Sequence, residues 1–337
     1  MKSDLSSKPK RSNLSLVFSV LVLFFGSAAL AFVILQGQWV VDQLRVLKYQ
    51  PDSRIVKYVE RAGLNDQGKF YLYAAQPAVL DSQNFNESCK DQEQETAILG
   101  CYNNGNIYIY DIDGAELDGI KEVTTAHEML HVAYERLTSK ERASVDDMIE
   151  REYKKLVEDK DLQSRMEFYR RTEPGQRDNE LHAIIGTEVK SIDPELEKYY
   201  QKYFSDRSKT TTLYAKYINV FNQIDVRRQQ LKSDAEALLA QVNQLKSAYE
   251  RSSAQLQTDY QIYQNLAKSG GYSSQSVADR AFSALQARNE GLKSERLTII
   301  DMINHYNLII KELNELATRR NELTKSLDSN LDQAPSF

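Results

Sequence analysis

The chain has 337 residues and a net charge of -5, with 43 Lys and Arg residues against 48 Asp and Glu residues. This near balance gives no basic patch for nucleic acid, and the sequence has no glycine-rich phosphate loop, so nucleic-acid and nucleotide binding are both disfavoured. The coarse pattern combines an apolar N-terminal run, a mixed central region and a long heptad region.

An uncharged apolar run extends from Leu14 to Leu35. As a helix it would span about 33 Å, and the hydrocarbon of a bilayer is about 30 Å thick. The basic residues before it predict a cytoplasmic N-terminus (1–13), a single membrane span (14–35) with Trp39 at the interface, and an extracytoplasmic remainder. A cleaved signal peptide is the alternative, because Ala29-Leu30-Ala31 resembles a cleavage site.

Beyond the span, residues 36–52 are expected to be a linker that ends at a helix-breaking proline. A helix is predicted over Ile55 to Leu64, and an aromatic-rich strand over Phe70 to Ala75. Two further strands, Ala97 to Tyr102 and Asn106 to Tyr110, are predicted to form a hairpin, because an Asn-Asn-Gly turn joins them.

The two cysteines, Cys89 and Cys101, are spaced too widely for a CxxC redox pair. In an oxidising compartment they could form a disulfide that closes a loop, worth about 2 to 3 kcal/mol. Two unpaired, buried thiols are the alternative.

The sequence HEMLH, from His127 to His131, lies in a predicted helix over Ile120 to Leu137. Residues four apart on a helix lie on the same face, so the two imidazoles can bind one metal ion, with Glu128 beside it as a candidate general base. Ordinary helix histidines with hydrogen-bond partners are the alternative. A catalytic metal site needs a third protein ligand.

Ser139 is a candidate N-cap for a helix over Lys140 to Leu156, and Arg165 to Arg171 is also expected to be helical. After the break Thr172-Glu173-Pro174-Gly175, a further helix is expected to carry the sequence NELHA within residues 177–188. This later segment supplies the candidates for the third ligand.

HEMLH followed by NELHA resembles the gluzincin branch of the HExxH metallopeptidases. The resemblance implies a Zn²⁺ ion held by His127, His131 and Glu180, with Glu128 as the catalytic base. His182 and Glu188 stay open as alternative third ligands. The gap before Glu180 is longer than in thermolysin-type members, which implies an inserted helix, and no glycine follows HEMLH at the metzincin spacing.

From about residue 207 apolar residues follow a heptad spacing in two runs, Tyr217 to Leu266 and Leu285 to Leu327, separated by a Ser-Gly-Gly turn near 269–275. This pattern predicts an antiparallel coiled-coil hairpin over 207–329, followed by a short tail, 330–337. Pairing between two chains is the alternative, so the coil could bind a protein partner or a second copy.

The sequence therefore predicts an α+β protein: a transmembrane helix, a small zincin-like domain over 53–206 with a short antiparallel sheet, and a coiled-coil hairpin. The predicted function is membrane-anchored, extracytoplasmic hydrolysis of peptide or protein substrates, in which Glu128 takes a proton from zinc-activated water and returns it to the leaving amine. The alternative is a cell-surface coiled-coil scaffold with a non-catalytic HExxH domain.

Overall fold

The computed structural model describes residues 17–27, 36–90, 98–172 and 175–329. Most of these residues are helical, and three short strands form one small sheet. The helices are α1 (residues 17–27), α2 (Gly37–Lys48), α3 (Ser53–Arg61), α4 (Asp66–Ala74), α5 (Ser82–Ser88), α6 (Ile120–Glu135), α7 (Ser139–Tyr153), α8 (Lys160–Thr172), α9 (Arg177–Glu188), α10 (Pro194–Tyr200), α11 (Arg207–Lys268) and α12 (Gln275–Leu327). The strands are β1 (Ala78–Leu80), β2 (Gly100–Asn103) and β3 (Asn106–Tyr110).

The described residues fall into two compact units. The first, which we call the head, contains the residues up to Tyr217 together with those from Ser326 onward; the second, the hairpin unit, is Ile218–Lys325. The head therefore includes α2 and the start of α11, which the sequence analysis assigned to a linker and to the coiled coil. Asp42 of α2 is buried in the head and forms an ion pair of 3.0 Å with Arg136.

The sheet has the strand order β1-β3-β2, with β3 antiparallel to β2 and parallel to β1. Asn104 and Gly105 both have positive φ, 50° and 76°, which is the backbone of a two-residue hairpin turn, as the sequence predicted. The sheet is mixed rather than purely antiparallel, because β1 pairs in parallel with β3. Since β3 is central, β2 is an edge strand.

The strand predicted over Phe70 to Ala75 is wrong, because this segment lies in and just after α4. The side chain of Asn65 caps the helix by accepting hydrogen bonds from the backbone N–H groups of Gln67 and Gly68. A side chain that satisfies two free N–H groups favours helix initiation over the weak strand preference of the aromatic residues that follow.

α6 crosses the middle of the head, and most of its residues are buried. It begins after Gly119, whose φ of 102° suits glycine, and continues to Glu135, two residues before the predicted end. The N-cap of α7 is Thr138, one residue before the predicted Ser139, and it forms a reciprocal capping box with Glu141.

α9 packs closely against α6 because Gly186 carries no side chain. A Cβ at this position would lie 2.4 Å from Cδ1 of Leu130 and 2.8 Å from Cε1 of Tyr200, well inside van der Waals contact. The absence of a side chain here lets the two helices approach, and it brings the start of α9 opposite the centre of α6.

In the hairpin unit, α11 and α12 run antiparallel. Ion pairs join Arg227 to Glu312 and, nearer the other end of the helices, Asp259 to Arg288. Between them Leu231, Ala235 and Ile309 form a buried cluster. As residue numbers rise along α11 they fall along α12, which is the order expected for two helices joined by the turn before Gln275.

No helix in the described ranges is both long enough and apolar enough to cross a membrane. The predicted span Leu14–Leu35 is described only over residues 17–27, which are helical, and the rest of it lies outside the described residues.

Candidate metal centre

His127 and His131 lie one turn apart on α6, and their ring centroids are 4.8 Å apart. Their nitrogens and the carboxylate of Glu128 lie within 4.8 Å of one another, which makes these residues a group able to hold a metal ion. The arrangement follows from helix geometry, because residues four apart lie one above the other.

Glu180, in the first turn of α9, faces both imidazoles. Its Oε1 lies 3.4 Å from Nε2 of His131, and its Oε2 lies 3.5 Å from Nε2 of His127. The edge of a coordination tetrahedron with zinc–ligand bonds of about 2.0 to 2.2 Å is about 3.3 to 3.6 Å. Each of the two distances is close to that edge, and imidazole and carboxylate are both donors that zinc accepts.

Asn179 fixes the orientation of His131. Its Oδ1 lies 3.0 Å from Nδ1 of His131, and its Nδ2 donates a hydrogen bond to Oε1 of Gln176. Because the amide oxygen only accepts, Nδ1 of His131 carries a proton and donates it to Asn179. A hydrogen bond of this kind to the second ring nitrogen is usual for histidines that bind metals.

Glu180 receives a hydrogen bond from Tyr169 of α8. Burial alone would raise the pKa of Glu180, but the facing imidazoles of His131 and His127, together with the Tyr169 hydroxyl, lower it below the usual value for glutamate. The carboxylate is therefore held in its ionised form, which is the form that binds metals.

Glu128 is 5% exposed and lies against the edge strand β2. Burial raises the pKa of Glu128 to about 7, an effect that Glu180 increases and His131 opposes. Gly100 leaves room for the carboxyl group, because a Cβ at this position would lie 2.7 Å from Oε1 of Glu128 and 2.5 Å from Cγ2 of Thr124. The base candidate thus occupies a space that only glycine leaves open.

The other candidate ligands have partners elsewhere. Nε2 of His182 lies 2.9 Å from the hydroxyl of Tyr199, and the ring is fully buried among tyrosines. Glu188 forms a two-bond ion pair with Arg165, at 3.0 and 2.8 Å. Neither His182 nor Glu188 therefore faces the two histidines in the way that Glu180 does. Arg177, at the start of α9, forms ion pairs with Glu150 and Asp178.

Cys89 and Cys101 form a disulfide, with Cα atoms 6.0 Å apart. Cys101 lies in β2 directly after Gly100, and Cys89 caps the C-terminus of α5. The bond therefore fastens the edge strand that lies against Glu128.

Sequence reasoning missed Asn179, Gly100 and Tyr169. Asn179 directly precedes the predicted ligand Glu180, and an amide there is a usable signal, because ligand histidines need a partner for their second nitrogen. Gly100 and Tyr169 left no such signal, since their roles depend on contacts between segments that are distant in the chain.

The chain matches no protein-family model, no curated protein and no solved structure. The resemblance to the gluzincins therefore rests on the HEMLH and NELHA sequences alone.

Proposed function

We propose that this chain is a zinc-dependent metallopeptidase of the gluzincin type, anchored in a membrane with its head on the extracytoplasmic side. The supporting observation is the convergence of three donors: the carboxylate of Glu180 lies 3.4 Å from His131 and 3.5 Å from His127. Two imidazoles and one carboxylate are the protein ligands of many catalytic zinc sites, and they leave a fourth position for water.

A zinc ion in this site would supply electrophilic catalysis, by lowering the pKa of water and polarising a carbonyl group. Glu128 would act as the general base that takes a proton from the attacking water and returns it to the leaving amine. A base with a pKa of about 7 is well matched to proton transfer near neutral pH, and burial of Glu128 raises its pKa to about that value.

The edge strand β2 is the proposed binding surface for the substrate. Within the part of the chain that the structure describes, β3 is the one strand that pairs with it, so its other side has no strand partner there. An extended peptide that adds to this edge would run past Gly100 and hence past Glu128. This placement favours a peptide or an unfolded protein segment as the substrate class.

The disulfide and the apolar N-terminal run support the extracytoplasmic location. The bond between Cys89 and Cys101 is of a kind that persists in oxidising compartments. The basic residues before Leu14 favour a cytoplasmic N-terminus, and a single crossing would then place the head on the opposite side.

The metal site is tested by zinc analysis of the full-length chain purified in detergent. About one equivalent of zinc is expected in the parent protein and far less in His131→Ala. His305→Ala is the matched control, because His305 is an exposed residue of α12. Less than about half an equivalent in the parent, or equal zinc in His131→Ala, would refute the proposed site.

Catalysis is tested separately with Glu128→Gln, in which an amide of nearly the same shape replaces the carboxylate. We expect this variant to keep its zinc and to lose hydrolysis of a peptide library that the parent cleaves. Cleavage at the parental rate would show that Glu128 is not the base. Parent protein that binds zinc but cleaves nothing in the library would favour a non-catalytic metal site.

A further inference from the structure

α2 buries an acidic residue against the protein and leaves several large apolar residues exposed to solvent. Asp42 is its one fully buried residue and pairs with Arg136. Leu47 is 80% exposed, Leu44 53%, and Val41 and Trp39 49% each. A helix on the surface of a water-soluble domain normally shows the opposite arrangement, with its apolar side buried.

Three of these exposed residues form a stripe on one side of the helix, within which Lys48 also lies. Val41, Leu44 and Leu47 recur every third residue and fall within an arc of about 120° at 100° per residue. Asp42 lies on the opposite side of the helix. The arrangement is that of an amphipathic helix whose apolar side is available to an apolar medium.

α2 is firmly held on the head. Arg45 donates hydrogen bonds to the backbone oxygen of Gly105, at 2.8 Å, and to Oδ1 of Asn106, at 2.6 Å, both at the β2–β3 turn. The ion pair between Asp42 and Arg136 joins α2 to the end of α6. These polar contacts fix which side of the helix points outward, so the exposed stripe cannot turn inward without breaking a buried ion pair.

We propose that the exposed side of α2 lies in the interfacial layer of the lipid bilayer, on the outer surface of the membrane, and holds the head against it. The position of α2 favours lipid over a protein partner, because the helix begins two residues after the apolar run Leu14–Leu35 ends. For a helix that directly follows a membrane span, lipid is the nearest apolar medium that can cover an exposed apolar stripe. The inference uses the membrane anchor of the proposed function but does not depend on catalysis.

The placement of α2 at the membrane surface would also position the candidate metal centre. α2 contacts Arg136, which directly follows the helix that carries His127 and His131. With α2 lying in the membrane surface, the centre is held at a fixed distance from the lipid. Its substrates would then be the membrane-near segments of anchored proteins, or peptides that gather at the bilayer surface.

Fluorescence quenching in full-length protein reconstituted into phosphatidylcholine vesicles tests this placement. Trp39 is the only tryptophan of the chain, so the Trp39→Phe variant has no tryptophan fluorescence. Leu47→Trp introduced into that variant therefore reports on position 47 alone. Leu47 lies about 12 Å further along the helix axis than Trp39. Lipids with brominated acyl chains should quench Leu47→Trp about as strongly as Trp39 in the parent, and acrylamide should quench it weakly.

Val226→Trp in the same background is the control, because Val226 is an exposed apolar residue of the hairpin unit, 68% accessible. Its fluorescence should be quenched by acrylamide and not by brominated lipid.

The outcomes separate the anchor from the placement of α2. If Leu47→Trp is quenched by acrylamide and not by lipid while Trp39 is quenched by lipid, the membrane anchor is supported and the inference about α2 is overturned. Protection from both quenchers would overturn it too, by showing that protein covers the helix. Absence of lipid quenching at both Trp39 and Leu47→Trp would refute the anchor and the surface placement together, and would leave zinc binding and hydrolysis to be judged by their own assays.

Discussion

The contact between Gly100 and Glu128 provides the sharpest test of the proposed base. In Gly100→Ala, the new methyl group would lie 2.5 Å from Cγ2 of Thr124 and 2.7 Å from Oε1 of Glu128. Ordinary contacts are about 3.5 to 4.0 Å, so the carboxyl group must move by about 1 Å. A displacement of that size in a catalytic group costs about 100-fold in rate, or about 2.7 kcal/mol of transition-state stabilisation.

We therefore expect kcat/KM of Gly100→Ala to fall about 100-fold, with zinc content unchanged because the three atoms nearest the added methyl group belong to Thr124 and Glu128 and not to the proposed ligands. The assay compares peptide hydrolysis, bound zinc and thermal midpoint with those of Gly291→Ala. Gly291 lies in α12 with no neighbouring atom within 4 Å of an added Cβ, so this control should keep full activity. Parental activity in a folded, zinc-loaded Gly100→Ala protein would refute the placement of Glu128 as the base.

Three further predictions follow from contacts around the centre. Asn179→Ala removes the partner of His131 Nδ1 and should weaken zinc binding about 10- to 100-fold, as measured by chelator competition. Arg136→Met leaves Asp42 buried without its cation and should lower the free energy of unfolding in urea by about 3 to 5 kcal/mol, a loss that a further Asp42→Asn change should partly restore. Gly186→Ala places a methyl group 2.4 Å from Leu130 and should cost about 1 to 3 kcal/mol of thermal stability, with weaker zinc binding because α9 shifts. Unchanged zinc affinity in Asn179→Ala, or unchanged stability in either of the other two variants, would contradict the contact concerned.

The positions of His127 and His131 could be predicted from sequence because they depend only on the turn of one helix. Glu180 could be ranked first but not separated from His182 and Glu188, since all three lie on the same later helix. The choice among them depends on how α9 packs on α6, which is set by the absence of a side chain at Gly186. No local pattern contains that information.

In the fold, too, the features set by local sequence were predictable and those set by contacts between distant segments were not. The β2–β3 hairpin was predictable because Asn104 and Gly105 specify their own turn. β1 was missed because it has three residues and pairs in parallel with a strand far along the chain. α2 lies in the segment predicted to be a linker. Its large apolar residues are exposed and its one buried residue is Asp42, which is not the usual pattern for a surface helix.

Two buried glutamates on α6 allow the metallopeptidase hypothesis to be tested against the scaffold hypothesis. Glu122 is paired with Arg61 and is accounted for by structure alone, whereas Glu128 faces Glu180 and the backbone of Gly100. A buried carboxylate beside another carboxylate costs folding free energy, and a purely structural metal site gains nothing from it. In metal-free protein, Glu122→Gln should therefore lose about 1 to 3 kcal/mol of stability in urea, whereas Glu128→Gln should lose none or gain. Equal losses would mean that Glu128 stabilises the fold, and the scaffold hypothesis would then account for its presence as well as catalysis does.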